Sequence, residues 1–283
     1  MNEIIAKHSL GPGIFRLEVA YPKLARKARP GQFVILRVSE DGERFPLTIA
    51  DCDPERGTIT LIFQVAGKST ALLAAMKTGQ AILGVTGPLG VPTEIERFGR
   101  VLCVGGGIGV APLYPIAKAL KRAGNHLTSI LGARSKDLVI LEQEFRALSD
   151  TVCVATDDGS YGRKGFVTDV LTDVLAGGET FDKAWAIGPV PMMRATCEVT
   201  RQAAIPTVVS LNPIMVDGTG MCGGCRVIVG GKVKFACVDG PEFDGHLVDF
   251  DTLAKRLGTY VHQEKRDYDA CRIGLDQPSR KDA

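Results

Sequence analysis

The chain has 283 residues, enough for two domains of roughly 100–200 residues with room for a small appendage. Hydrophobic residues make up 45% and charged residues 23%, and a formal net charge of +2 leaves no basic field of the size nucleic acid requires, so no nucleic-acid partner is expected. No charged-then-apolar signal opens the chain. The longest uncharged stretch, Val101 to Ala117, is broken by glycines and prolines and falls short of the about 20 residues of a membrane span; a cytoplasmic protein with no membrane segment is expected.

In chain order, the first hundred residues hold short runs of β character, FRLEVA, FVILRV and TITLIFQV. They are separated by LGPG, RPGQ and DPERG, the pattern of a small antiparallel barrel or sandwich. From Arg100 the texture changes. Apolar strands VLCV, LTSIL, VCVA and AWAI alternate with helical patterns, as in a parallel sheet with crossover helices. One helix starts near Val110, with Leu113, Ile116 and Leu120 on one face and Gly124 as its stop. After Ser210 a glycine-rich stretch follows, then a helix from about Asp249 to Lys265. The expected organisation is therefore an all-β unit over 1–98, an α/β nucleotide-binding unit over 99–210 and a cysteine loop with a C-terminal helix over 211–283.

Gly105, Gly106, Gly107, Ile108 and Gly109 stand between a predicted strand and a predicted helix. There, backbone N–H groups and the helix N-terminus can meet a pyrophosphate that any Cβ would hold away. A tight turn without a ligand is the plainer alternative. The next strand ends without an acidic residue; Arg134, Ser135 and Lys136 stand there instead, which by charge tolerates a 2′-phosphate and leaves NAD(H) against NADP(H) open.

Of eight cysteines, Cys222, Cys225 and Cys237 cluster, while Cys103 and Cys153 sit in apolar runs as buried thiols. Three thiolates are too few for a four-ligand structural zinc site. Plant-type [2Fe-2S] loops use C-x4-C-x2-C and a distant fourth cysteine, and with four residues between it and Cys222 the first position here is Asp217. The set Asp217, Cys222, Cys225 and Cys237, with four interleaved glycines, predicts a [2Fe-2S] loop in which one iron takes a harder oxygen donor. A zinc knuckle using Asp217 and a redox CxxC pair are the alternatives, and Cys271 is a reserve ligand.

The segments RFPLT (44–48), GKST (67–70), GGGIGVAP (105–112) and GPVPMM (188–193) follow PGQF in an order that resembles the ferredoxin-NADP reductase superfamily, over nearly the whole chain. The cluster loop and TDDGSYGRKGFVTD (156–169) are similar to the electron-transfer subunits of class B dihydroorotate dehydrogenases. The stretch SLNPIMVDGTGMCGGCRV, with aspartate at its first ligand position, resembles more narrowly the small subunits of NADH-dependent ferredoxin:NADP oxidoreductases, also called sulfide dehydrogenase beta subunits.

The resemblance implies a Greek-key barrel that binds FAD, with Arg44, Pro46, Leu47 and Thr48 beside the isoalloxazine and Gly67, Ser69 and Thr70 near the pyrophosphate. Gly188 and Pro189 would then adjoin the nicotinamide, with Asp157, Asp158 and Arg163 shaping the same site. It further implies an oxidoreductase subunit in which no side chain is a catalytic acid or base, since flavin carries the hydride chemistry. Electrons would pass between NAD(P)H, FAD and the cluster to a larger subunit carrying flavin and [4Fe-4S] clusters, in electron bifurcation that reaches ferredoxin indirectly. The other readings are an electron-transfer subunit for dihydroorotate oxidation and a zinc-bearing regulatory or binding module.

Overall fold

A computed structural model describes residues 2–275; Met1 and residues 276–283, the outer ends of the first and last expected units, lie outside the described residues. The β-rich runs form β1 (Ile4–Gly11), β2 (Ile14–Ala20), β3 (Phe33–Arg37), β4 (Arg44–Asp53), β5 (Thr58–Gln64) and β6 (Gly84–Leu89), with short helices α1 (Pro22–Ala25) and α2 (Lys68–Ala75). They make one antiparallel sheet in the order β1-β2-β5-β4-β3-β6, the non-sequential pairing of a Greek key. Its inner face buries Leu17, Val19, Val34, Leu36, Ile59, Leu61 and Phe63.

The sheet curls toward closure without completing it. Asn2 and Ile4 exchange backbone bonds with residues 79–82, and Glu3 bridges Ala81, but no full ladder joins β1 to β6. One reason is that β6 is short and carries Pro88, which has no N–H to offer. The expected barrel is a curled sheet pinned at its ends.

The second sheet gathers β7 (Arg100–Gly106), β8 (His126–Ala133), β9 (Thr151–Thr156), β10 (Arg163–Lys164), β11 (Lys183–Ile187) and β12 (Thr207–Ser210), all parallel. Its helices are α3 (Val110–Arg122), α4 (Glu142–Leu148), α5 (Val167–Ala176) and α6 (Val190–Gln202). On α3 the predicted stripe Leu113, Ile116 and Leu120 is buried. A C-terminal group follows: β13 (Arg226–Val229), β14 (Lys232–Phe235), α7 (Ala236–Asp239), β15 (Glu242–Asp244), α8 (Phe250–Leu257) and α9 (Val261–Leu275).

Two features differ from the sequence reading. Strand β15 pairs antiparallel with β12, so the second sheet has a seventh strand from beyond residue 210. The single helix expected over 249–265 is divided. The Asp249 side chain accepts from the Thr252 N–H at 2.9 Å and starts α8, Gly258 caps it, and a turn over Gly258–Tyr260 leads into α9, which packs on α2.

Candidate functional site

A cleft of about 570 Å³ opens between the two sheets. The nucleotide side supplies Gly106, Gly107, Ile108, Arg134, Asp157 and Pro189, and the first sheet supplies Ile14 and Gln64. Residues from four strand ends thus meet at one place, outside the carboxyl ends of a parallel sheet, where such folds hold ligands.

The glycines of the loop divide by what a Cβ would meet. At Gly107, with φ +55°, nothing stands within 4 Å, so this residue presents bare backbone to open space. At Gly105 a Cβ would press on Val110 and Leu113, at Gly188 on the Met192 sulfur, and at Gly109 on the backbone of Ile187 and Gly188. Gly105, Gly109 and Gly188 therefore fit the β7–α3 turn against the β11–α6 turn and do not themselves line the cleft.

Sequence reasoning missed several lining residues, among them Phe166, Thr168, Pro191 and Met192. Phe166 is 62% exposed and lines the cleft, where its ring can stack on a flat ligand. The only signal was its place in the TDDGSYGRKGFVTD stretch. Arg163, by contrast, pairs with Asp173 at 2.7 Å and Asp169 at 3.7 Å and is absent from the cleft lining.

Arg44, Pro46, Leu47 and Thr48 lie along the first half of β4, paired with Arg37, Ile35, Val34 and Phe33 of β3. The second flavin segment meets the first through the Ser69 hydroxyl, which donates to Glu43 Oε2 at 3.3 Å and so sets the start of α2 beside Arg44. Gly67 has open space where a Cβ would stand, and the first turn of α2 carries the N–H groups every helix leaves free for an anion. These residues fit a flavin with its diphosphate at α2.

The Thr70 hydroxyl is engaged locally: it accepts from Ala66 N–H at 3.0 Å and Gly67 N–H at 3.1 Å and donates to the Gly67 carbonyl at 2.9 Å. Thr70→Val is expected to cost about 1 kcal/mol by loss of this cap, measured by urea unfolding, with the flavin spectrum retained.

In the cysteine loop Cys225 and Cys237 are both buried, their sulfurs 3.2 Å apart. Cys222 is exposed, and its N–H donates to Asp217 Oδ2 at 2.9 Å, while Asp217 Oδ1 accepts from Thr219 N–H at 2.8 Å. These backbone donors hold the Asp217 carboxyl below its ordinary value. Asp217 thus holds the Cys222 backbone, while Cys225 and Cys237 bring their sulfurs together. Among the described residues no three His, Cys, Asp or Glu converge on a single ion. Asp217 with three cysteines supplies four donors, and thiolate is the donor iron–sulfur clusters use.

The loop is also seated on the first sheet. A Cβ on Gly218, at φ +75°, would stand 2.7 Å from Leu89 Cδ1 and 2.9 Å from Ile35 Cγ1. Ile35 is the cross-strand partner of Pro46. The residue after Asp217 therefore touches the strand that pairs with the flavin segment.

Comparisons with known proteins agree with this layout. Residues 103–198 match the oxidoreductase NAD-binding domain, and residues 212–249 match the iron-sulfur cluster binding domain of dihydroorotate dehydrogenase B. The chain is 54% identical over 269 residues, 95% of each chain, to a dihydroorotate dehydrogenase B (NAD(+)) electron transfer subunit homolog of Thermotoga maritima. It is 38% identical to the corresponding electron transfer subunit of Geobacillus thermodenitrificans, over 85% of this chain and 94% of the relative. Among solved structures, a chain of the NADH-dependent reduced ferredoxin-NADP oxidoreductase superposes with a TM-score of 0.91 at 52% identity, covering 95% of this chain and 97% of that one. A ferredoxin reductase of carbazole 1,9a-dioxygenase, 22% identical with a TM-score of 0.61 over 72% of this chain and 65% of its own, shares the fold. On sequence, fold and cluster domain, the chain belongs to the family of dihydroorotate dehydrogenase B electron-transfer subunits and their homologues.

Proposed function

We propose that this oxidoreductase subunit carries FAD on 1–98, NAD(H) on 99–210 and a [2Fe-2S] cluster on 211–283, and relays electrons between the nucleotide and a partner subunit. The observation that carries the reading is the seat of Gly218 on Ile35, which sets the cluster loop against the flavin strand pair. The nucleotide cleft opens on β2 and β5 of the same sheet. Both exchange partners of a flavin are thus within one curled sheet of it.

In this reading the residues bind and orient. Gly107 and the start of α3 receive the pyrophosphate, Phe166 and Asp157 flank the nucleotide, and Pro189 follows the strand end nearest the nicotinamide. Arg44, Pro46, Leu47, Thr48, Gly67 and Ser69 hold the flavin; Asp217, Cys222, Cys225 and Cys237 hold the irons. When bound, the flavin exchanges a hydride with the nucleotide and single electrons with the cluster. No side chain of this set is required as acid or base.

The partner is a larger subunit with flavin and [4Fe-4S] clusters, and the pair couples NADH, ferredoxin and NADP in bifurcation. The 52% identity with the NADH-dependent reduced ferredoxin-NADP oxidoreductase chain supports this. The names of the Thermotoga and Geobacillus relatives support a second reading, dihydroorotate oxidation with a different partner. Anaerobic purification with the bound partner tests both. Flavin bands, two irons per chain and reduction of NADP by NADH plus reduced ferredoxin are expected; reduction of NAD by dihydroorotate instead would replace the first reading with the second.

Asp217 separates ligand from loop organiser. Asp217→Cys is expected to keep the iron and shift the cluster potential, and Asp217→Ala to release iron on gel filtration. A normal potential and full iron in Asp217→Ala would remove it from the ligand set.

A further inference from the structure

A partly buried carboxylate that the electron-transfer reading does not use lies at the junction of all three parts of the molecule. Glu242 is the first residue of β15, five residues after Cys237. Its Oε1 accepts from the Thr93 hydroxyl at 2.6 Å and its Oε2 from the Trp185 indole N–H at 3.2 Å. Thr93 is buried in the segment after β6, and its N–H donates to the Pro30 carbonyl at 2.9 Å. Gly31 is so close that a Cβ there would run into Thr93 Oγ1 and stand 2.9 Å from Glu242 Oε1. Two residues on, Phe33 pairs with Thr48 of the flavin segment.

The other arm reaches the nucleotide side. Trp185 is 1% exposed in the middle of β11, which ends at Ile187 directly before Gly188 and Pro189. The junction is reinforced around Glu242: the Val91 N–H donates to the Gly240 carbonyl at 2.6 Å, and Lys183 pairs with Glu94 at 3.0 Å. Burial raises the Glu242 carboxyl above its ordinary value, while its two donors and Lys183 act the other way. Carrying this group at a junction costs free energy that an apolar side chain would not.

We propose that Glu242 is a positioning residue that holds the flavin sheet, the nucleotide sheet and the last cysteine of the cluster loop in one arrangement, and so sets how the nicotinamide and flavin segments face each other. The inference rests on the proposed flavin and nucleotide roles for its effect on rate. The structural part, one carboxylate joining Thr93 to Trp185, stands without them. Hydride transfer needs the two rings stacked, and misplacement of about 1 Å is enough to cost a hundredfold.

The chemistry of the donors makes the idea testable. Trp185 Nε1–H can only donate, whereas the Thr93 hydroxyl can donate or accept. In Glu242→Gln the amide oxygen can face Trp185 and the amide N–H₂ face Thr93, which preserves both bonds without the charge. Glu242→Leu removes both acceptors. Thr93→Val removes the flavin-side arm alone. Trp185 is the chain's one tryptophan, so its emission reports the junction directly.

The experiment compares the full-length FAD-loaded chain with these three variants, in NADH-driven ferricyanide reduction, flavin and iron content, and Trp185 emission. Glu242→Leu is expected to lower kcat by about tenfold with KM for NADH within about twofold, native flavin and iron, and shifted emission. Glu242→Gln is expected to restore kcat, and Thr93→Val to show a smaller loss. Native kcat and emission in Glu242→Leu would overturn the proposal, as would equal losses in Glu242→Gln. If Glu242→Leu does not fold, native kcat in Thr93→Val overturns it. If the parent chain shows no NADH-driven reduction, the flavin and nucleotide roles fail. The emission shift in Glu242→Leu and its reversal in Glu242→Gln still decide whether Glu242 holds the junction.

Discussion

Gly109→Ala is expected to raise KM for NADH by tenfold or more while leaving the flavin bound. The added Cβ would stand 2.6 Å from the Ile187 carbonyl carbon and 2.7 Å from Gly188 Cα, both backbone atoms that no rotamer change can move away. The conflict is relieved only by separating the β7–α3 turn from the β11–α6 turn. Overpacking of this kind costs about 1–3 kcal/mol, and if the cost falls on the bound geometry, about 1.4 kcal/mol is already tenfold in affinity. The flavin segments lie on the other sheet and should not feel it.

Gly107→Ala is the informative comparison. Nothing stands within 4 Å of its Cβ position, so packing is not at issue, but φ is +55° and an alanine there costs about 1–2 kcal/mol in backbone strain. Its methyl group would also project where bare backbone faces the cleft. Both variants are therefore expected to weaken NADH, Gly109→Ala with lower thermal stability from a displaced turn and Gly107→Ala with a stability loss from strain alone. Steady-state ferricyanide reduction, flavin absorbance and thermal unfolding separate them. A native KM in Gly109→Ala would mean that the two turns do not jointly shape the nucleotide site.

Sequence patterns reveal different parts of the molecule to different depths. The strands of the first sheet were legible because FRLEVA, FVILRV and TITLIFQV are β-branched and apolar between turn residues, and those runs became β2, β3 and β5. The α/β alternation was legible for the same physical reason, and α3 buries the stripe its spacing predicted. Strand β15 was not legible, because three residues, EFD, carry no periodicity. Its pairing with β12 is a tertiary outcome. The break at Gly258 was visible only as one glycine in a helical stretch, which is tolerated as often as it terminates a helix.

At the site the same contrast holds. Gly106, Gly107, Ile108, Arg134, Asp157 and Pro189 come from four distant stretches and line one cleft; the first three were legible because a glycine loop between strand and helix is a backbone demand that sequence records. Phe166 and Met192 line it too, yet an apolar residue near a helix start reads as core. Glu242 had no signal at all: a lone glutamate in a glycine-rich stretch looks solvated, and only the fold brings Thr93 and Trp185 to its two oxygens. Motifs record what a ligand demands of the backbone. Junctions between parts of a fold are recorded nowhere in one stretch of chain.

Cys225→Ser and Cys237→Ser are expected to abolish the cluster while the nucleotide cleft keeps working. Both thiols are buried, their sulfurs 3.2 Å apart, and burial together with Cys225 beside it pushes the Cys237 thiol up to about 12. Without iron the Cys237 thiol stays protonated, so metal binding itself must displace its proton, and a serine hydroxyl, harder and far less acidic than a thiol, does not repeat that exchange. Iron content is expected to fall to near zero in both variants. NADH-driven ferricyanide reduction should stay within about twofold of the parent, because none of the cleft residues belongs to the cysteine loop. Electron transfer to the partner subunit should fall by a hundredfold or more if the cluster is its route, on the order of 2.7 kcal/mol in the barrier. Cys271→Ala is the control: Cys271 lies on α9, which packs on α2, so iron content should be native. Loss of iron in Cys271→Ala with full iron in Cys237→Ser would move the fourth ligand from Cys237 to the C-terminal helix.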